Sequence, residues 1–493
     1  MTEILARLDD WSDRLSPIVV KEIRQMVRGR EFNYAFGISL LAGLIVAFFG
    51  LADALTSAGT SGSSVFTALM ACLGVVGLVV IPLGTFSALR SERVEQTLDL
   101  ITQTMLTPRR IIVGKLMTQA VKLIVLFAGL APFVAMSFLL GGIDMLTILV
   151  SLAVLFMVSL WVCSACLFMS AASQSRAMSV VLFVGLAIGS IWILSPMSGR
   201  IFALLGLIPA PAPIIGMNWF LGAATVLCLV SMTNFLLLAE NRLSSPIEDR
   251  STALRIGFFV QFLLILAYVI GPGAVAASPA TAVFIGGTVG FVPPNQRLAL
   301  WGGIHLAVTA VFAVTEDLVL SRRVFQRIRK SLKRPWAIFR PGGGRGVLWI
   351  LAQMLFFLAA GLTIYVPDMF SALVAICAYI CFFTGVPTVV MRHIFKSRAR
   401  TAYLRAGILL FFPIVAISAD LLLSFLTPGL IFNGSYSAYH ILNPFRTLAN
   451  WSYIQAQGWV WRPMFMGLIG LIAYLELFRM GRREDKNAAA QIN

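Results

Sequence analysis

The residues of this chain that can carry charge are gathered into short passages between long apolar runs. The richest lies at 90–115: Arg90-Ser91-Glu92-Arg93-Val94-Glu95-Gln96-Thr97-Leu98-Asp99-Leu100-Ile101, then Thr107-Pro108, then Gly114-Lys115. Val94, Leu98, Ile101 and Met105 fall at helical spacing, while Arg93, Gln96, Asp99 and Gln103 lie around the other sides. Acids and bases beside an apolar stripe suit docking against a charged surface rather than covalent catalysis. The pattern predicts a short helix in the membrane interface, one flank in lipid or protein and the other offered to the cytoplasm. Thr107 is then placed to cap a new helix and Pro108 to occupy its first position.

Elsewhere the chemistry is sparse. The chain holds no Gly-x-x-x-x-Gly-Lys-Ser/Thr, so nothing in it cradles ATP phosphates in the usual way. Gly342-Gly343-Gly344-Arg345-Gly346 lacks the lysine, the hydroxyl and the preceding strand of such a loop, and reads as a flexible hinge. His-Glu-x-x-His and Gly-x-Ser-x-Gly are also missing, which leaves protease and esterase readings without support. Cys163-x-x-Cys166 has no matching pair, and all six cysteines fall in apolar segments, as small thiols packed between helices do. Charge at membrane depth is costly and therefore a candidate for function. Asp420 and His305 are the two candidates for a transport pathway, although a span ending early would leave Asp420 at the interface, and His305 also fits a hydrogen-bonded core position. Lys122 can snorkel, and Glu476 can pair with Arg479 on the same helix.

The elements that must position these residues follow from composition. With 59% hydrophobic and 12% charged residues, the chain is not a water-soluble globule. Apolar runs long enough to cross the hydrocarbon layer predict twelve spans, at 34–55, 65–88, 116–140, 145–171, 178–194, 219–238, 256–276, 298–315, 347–366, 370–391, 406–427 and 459–478. The net charge of +17 does not point to nucleic acid. With a cytoplasmic N-terminus, twelve crossings put all of the 38 Lys and Arg on the cytoplasmic side except Arg200, Arg297, Arg446 and Arg462. Counting 278–292 as a thirteenth crossing would reverse the basic segment 322–345, so that stretch is read as re-entrant or interfacial. The basic clusters then face anionic lipid headgroups and a cytoplasmic partner. No cleavable signal peptide is expected, and the first apolar run should remain as an anchor.

Residues 16–30 form a second amphipathic element. Ser16 can cap it and Pro17 start it, with Val19, Ile23, Met26 and Val27 on one face and Lys21, Arg24 and Arg28 on the other. Its Pro-x-x-x-Lys-Glu-x-Arg pattern, with Glu22 after Lys21, resembles the opening of ABC-2 type transporter permeases. The Glu-Arg-x-x-x-Thr-Leu … Thr-Pro … Gly-Lys run of 92–115 resembles that family's coupling region between the second and third spans, and Gly141-Gly142-Ile143-Asp144 its short outer turn. The resemblance covers residues 16–240 and implies a transport permease in the bacterial inner membrane, with both termini cytoplasmic and export as its direction. It implies a separate ABC ATPase subunit that binds the ATP, so that this chain is no enzyme and carries no cofactor. On that reading Glu92, Glu95 and Asp99 supply charge for the ATPase contact, beside Arg93 and Thr97. Val94, Leu98 and Ile101 seat the helix, while Thr107, Pro108, Gly114 and Lys115 pass motion into the third span.

The expected fold is therefore an all-α polytopic membrane protein of about twelve transmembrane helices in two six-helix halves, with interfacial amphipathic helices. The expected divisions are an N-terminal segment 1–33, a permease unit 34–240, a connector 241–255, a second six-span unit 256–479 and a tail 480–493. Each half has a long basic loop after its second span and a short turn after its third. The second half has no copy of the Glu-x-x-x-Thr-Leu run, which favours two chains pairing as a homodimer, whereas the matching rhythm favours one chain supplying both halves. An ion-coupled secondary transporter using Asp420 and His305 and a non-transporting membrane scaffold are the alternatives in other classes.

Overall fold

The computed structural model describes residues 17–56, 61–94, 107–141, 143–173, 180, 183–185, 214–243, 249, 251–270, 283–285, 288–290, 298–316, 324–326, 335–363, 367–394, 447–448 and 451–490. The chain divides into two compact units, Met1–Ser244 and Ser245–Asn493. Among the described residues nine helices are long and apolar enough to cross a membrane. They carry large apolar side chains on open faces, Phe48 at 69%, Leu355 at 69% and Leu146 at 69% exposure, as a lipid-facing surface requires. The protein is a predominantly helical, polytopic membrane protein. The predicted eighth span is shorter than the rest, a helix over Gly303–Val314, and the predicted eleventh lies outside the described residues, as does most of the fifth.

In the first unit, helix α1 (Pro17–Arg28) leads into the first span, α2 (Arg30–Thr56). The second span runs from α3 (Ser61–Val75) through one π-helical turn (Val76–Val80) into α4 (Ile81–Val94). Pro82 supplies a cause for that turn. It has no N–H to offer the carbonyl four residues back, and the Ile81 amide bonds instead to the Val76 carbonyl five back. The third span is α5 (Pro108–Leu139), the fourth α6 (Met145–Ala172) and the sixth α7 (Ile214–Leu243). Phe66, Leu69, Leu73, Leu78, Phe86 and Leu89 of the second span meet Leu123, Leu126 and Leu130 of α5 and Leu155, Cys163 and Leu167 of α6 in one apolar core. Cross-helix hydrogen bonds fix the registers: Ser170 Oγ donates to the Phe86 carbonyl at 2.9 Å, and Trp161 Nε1 to Ser231 Oγ at 2.7 Å. All six cysteines are free thiols, and no cluster of metal-ligating side chains occurs among the described residues.

The turn between α5 and α6 shows how local sequence ends one span and starts the next. Asp144 caps α6, its carboxylate accepting from the Thr147 amide at 3.0 Å and the Thr147 hydroxyl at 2.5 Å. These bonds favour the charged form and hold the Asp144 carboxyl below the usual carboxylate range. Asp144→Ala is expected to lower stability by about 1 kcal/mol at neutral pH. Because the folded-state value is depressed, that contribution is present above the unfolded carboxylate range and disappears as pH falls through the folded value. Thermal unfolding in detergent at pH 7 and at progressively lower pH checks this: the gap between wild type and variant should narrow as pH falls.

The second unit begins at α8 (Thr252–Ile270), followed by a two-stranded antiparallel hairpin, β1 (Val283–Ile285) and β2 (Thr288–Gly290), with Ile285 opposite Thr288. The described part of 278–292 is thus a hairpin, not a thirteenth helix. A π-helical turn (Leu298–Gly302) opens α9 (Gly303–Val314). A 3-10 turn (Pro335–Phe339) precedes α10 (Gly343–Thr363), then come α11 (Pro367–Ile394), the short α12 (Trp451–Ala456) and α13 (Trp461–Ala490). Helices α11 and α13 pack at backbone distance, because a Cβ on Gly470 would lie 2.4 Å from the Phe382 amide nitrogen. The Thr384 and Tyr474 hydroxyls hydrogen-bond across that contact at 2.8 Å.

Of the segment 241–255, α7 takes the first residues to Leu243 and α8 those from Thr252. Asp249 caps α8 by accepting from the Thr252 amide at 3.1 Å and the Thr252 hydroxyl at 2.6 Å, so Arg255 lies inside a helix. The expected tail from 480 is the uninterrupted continuation of α13 to Ala490.

Candidate functional site

Three segments singled out in the sequence meet at one buried ion cluster in the first unit. Lys115 Nζ lies 2.7 Å from Glu22 Oε1 and 2.8 Å from Glu92 Oε1. The lysine side chain is 5% exposed, Glu22 15% and Glu92 25%. Each arrives by a different route. Glu22 sits mid-way along α1, whose Met26 is buried while Arg24 and Arg28 stay exposed. Glu92 lies in the last turn of α4, and Lys115 is two turns into α5, behind the buried Gly114. One ammonium thereby ties the interfacial helix, the end of the second span and the start of the third. Two of its three donors are taken by carboxylates, and one base facing two acids leaves the cluster with an excess of negative charge. Taking either acid away leaves the lysine one partner; taking the lysine away leaves two acids facing each other with little water.

Several expected residues are placed by this geometry. Glu92 was expected to present its charge to a partner, and here it turns inward to Lys115. Thr107 has extended backbone before Pro108 and caps α5 through its carbonyl, which accepts from the Arg110 amide at 2.9 Å, with no side-chain cap bond. Gly114 gives its carbonyl to the Thr118 hydroxyl at 3.1 Å. Arg93 and Val94 close α4, and Pro17 and Lys21 belong to α1. Glu95, Thr97, Leu98, Asp99, Ile101 and Asp420 lie outside the described residues. His305 is buried in α9, stacked on Phe262 at 5.6 Å between ring centroids and edge-on to Phe258 at 6.1 Å. Its Nε2 has no hydrogen-bond partner among the described residues, nor does Gln353 Nε2. Glu476 lies 3.7 Å from Arg479 on α13.

Arg109 and Arg110 were not singled out by sequence. Both are exposed in the first turn of α5, which holds no acid. A helix N-terminus carries partial positive charge, so two arginines there are unfavourable to the helix and would gain from an anionic neighbour. That mismatch was a readable signal.

A second ion cluster, also missed, gathers one end of the second unit. The Arg255 guanidinium pairs with the Glu316 carboxylate and donates to the carbonyls of Ile338 at 3.0 Å, Arg340 at 2.7 Å and Gly342 at 3.3 Å. Ser251 also donates to Glu316, and Arg392 donates to the Glu316 carbonyl at 2.7 Å and the Val314 carbonyl at 3.2 Å. Arg340 reaches Asp249 at 3.6 Å, and Arg345 holds Asp485 with two bonds of 2.8 and 3.3 Å. The glycine run expected to be a hinge is bonded into this cluster. Gly342 takes φ +122, which glycine alone adopts readily, and its amide donates to Glu316 at 3.4 Å. The ends of α8, α9, α10, α11 and α13 are cross-linked through Glu316 and three arginines. No family model, curated protein or solved structure matches this chain, so both clusters stand on their own geometry.

Proposed function

We propose that this chain is the permease subunit of an ATP-driven ABC-2 type transporter, moving its substrate across a membrane with a separate ATPase subunit. The observation that carries the reading is the meeting of Glu22, Glu92 and Lys115. Glu22 comes from the opening motif of the family resemblance and Glu92 and Lys115 from the two ends of the coupling run, and nothing in their spacing along the chain requires them to touch. The Glu92–Lys115 pair also gives the resemblance a mechanical sense. Residues 95–106 leave α4 just past Glu92 and return at Thr107, so the pair pins both ends of that segment. A push from a partner on 95–106 is then delivered to α4 and α5 as a unit, and through Glu22 to α1, instead of being absorbed by loop bending. Helices so joined can switch together between two packings that expose a substrate path alternately. Glu95 and Asp99 remain in this reading to meet the partner, and Arg109 and Arg110 are exposed at the start of α5.

The test is whether the chain, purified in mild detergent from the cells that encode it, carries an ABC-type ATPase with it. Glu95→Lys with Asp99→Lys should reduce co-purification of the ATPase at least tenfold while the melting temperature of the chain stays unchanged. The chain alone should hydrolyse no ATP. Undiminished association with both charges reversed removes the coupling assignment.

A further inference from the structure

His305, which the permease reading leaves unused, belongs to a file of uncharged polar groups inside the second unit. On α9 it stands one turn before Thr309, and on α10 Trp349 stands one turn before Gln353. The two helices run antiparallel at close range: a Cβ on Gly346 would strike the Ala313 carbonyl, and one on Gly302 the Phe357 ring. Between those two contacts Thr309 Oγ1 meets Gln353 Oε1 at 3.4 Å. Trp349 therefore lies to one side of that meeting point and His305 to the other, each about 6 Å along its helix. The third wall is α8. Its Phe262 stacks on the His305 ring, and its Phe259 meets Phe356 of α10 edge-on with 6.0 Å between centroids.

All three groups are deeply buried, Gln353 at 0%, Trp349 at 2% and His305 at 7% exposure. Gln353 Nε2, Trp349 Nε1 and His305 Nε2 nevertheless have no hydrogen-bond partner among the described residues. Burying one such group unpaired is costly, and three in one file call for a ligand that pairs them. The Thr309 hydroxyl shows which chemistry fits. Its proton goes to the His305 carbonyl at 2.9 Å, so its lone pair suits the nitrogen of the Gln353 amide better than the oxygen. With the amide turned that way, the Gln353 carbonyl faces the file as an acceptor, beside an indole that only donates and an imidazole nitrogen that can do either. A hydroxyl group, donor and acceptor at once, matches this set. A charged ligand does not, because α8 from Ile256, all of α9 and α10 from Gly346 carry no Asp, Glu, Lys or Arg.

We propose that this file is an intramembrane site for an uncharged, hydroxyl-bearing ligand, hydrogen-bonded by Trp349, Gln353 and His305 and walled by Phe262. Water and an uncharged amphiphile entering from the bilayer are the two sources of such a hydroxyl. The site is independent of the ATPase partnership, since a chain that carries no ATPase can still hold the ligand.

The full chain, stripped of lipid and held in a detergent without hydroxyl groups, tests this through the indole N–H resonance of Trp349. Isotope-labelled tryptophan makes the resonance visible, and its loss in Trp349→Phe assigns it. The probes are monoolein, which has free hydroxyls, and methyl oleate, which has the same acyl chain and none. Exchange of the indole proton with deuterated water within minutes, slowed at least tenfold by monoolein but not by methyl oleate, is the expected result and identifies an amphiphile. Equally rapid exchange that neither probe slows keeps the site and identifies its ligand as water. A proton that persists for days under all three conditions overturns the proposal. Melting temperatures give a second reading. Gln353→Met and His305→Phe nearly conserve volume and should lower the melting temperature, because each removes a bond to the ligand. A rise in both variants would mean that the polar groups are unpaired in the native protein, and it overturns the site as well.

Discussion

Lys115→Met is expected to lower the stability of the first unit by about 3 kcal/mol, the low end of the range for breaking a buried ion pair. The low end applies because Glu22 and Glu92 keep 15% and 25% exposure and are partly rehydrated once the ammonium is gone. Methionine nearly conserves the volume of the lysine stem, so the loss reports charge and hydrogen bonds rather than a cavity. The triple variant Glu22→Gln, Glu92→Gln, Lys115→Met should recover most of the loss, because no charge is then left without a counter-charge. Its function should not recover: the mechanical tie between α4 and α5 needs the bonds, and ATP hydrolysis stimulated by the chain should remain at the unstimulated rate. Thermal unfolding in detergent and ATPase turnover of the reconstituted complex separate the two effects. A triple variant that couples normally would mean that the cluster only stabilises the unit.

The helices were legible because crossing a membrane imposes a length of apolar sequence that few other constraints imitate. Pro108 was read as the first position of a helix, and α5 starts there. The hairpin strands at Val283–Ile285 and Thr288–Gly290 had a readable signal that the apolar composition hid: in the sequence, Gly-Gly stands between two runs of β-forming residues. The ion clusters were not legible. Glu22 read as part of an interfacial helix, Glu92 as charge offered to a partner and Lys115 as a residue passing motion into the third span. Their meeting depends on the packing of α1 and α4 on α5, across sequence separations of 93 and 23 residues. Arg255 was hidden in a polar connector because an apolar-run criterion starts a span only after its last charge. Its burial follows from the Asp249 cap, which places the helix start before Arg255.

Arg255 should be the most sensitive single position described. Its side chain is 4% exposed and serves one carboxylate and three carbonyls, all on the segment from Glu316 to Gly342. Arg255→Met removes every one of those bonds and leaves the Glu316 charge with Ser251 and the Gly342 amide as its remaining hydrogen-bond donors. The expected loss is about 5 kcal/mol, the high end for breaking a buried pair, because the carbonyl bonds fall together with the ion pair. Arg255→Lys keeps the charge but replaces a planar fork with a point donor that cannot span Glu316 and the 338–342 turn together. Its loss should be about 2 kcal/mol, roughly that of the hydrogen bonds to a charged group that it cannot remake. Melting temperatures in detergent should therefore fall in the order wild type, Arg255→Lys, Arg255→Met, and adding Glu316→Gln to the last should raise it again. If lysine serves as well as arginine, the carbonyl bonds contribute nothing and the pair with Glu316 alone holds the turn.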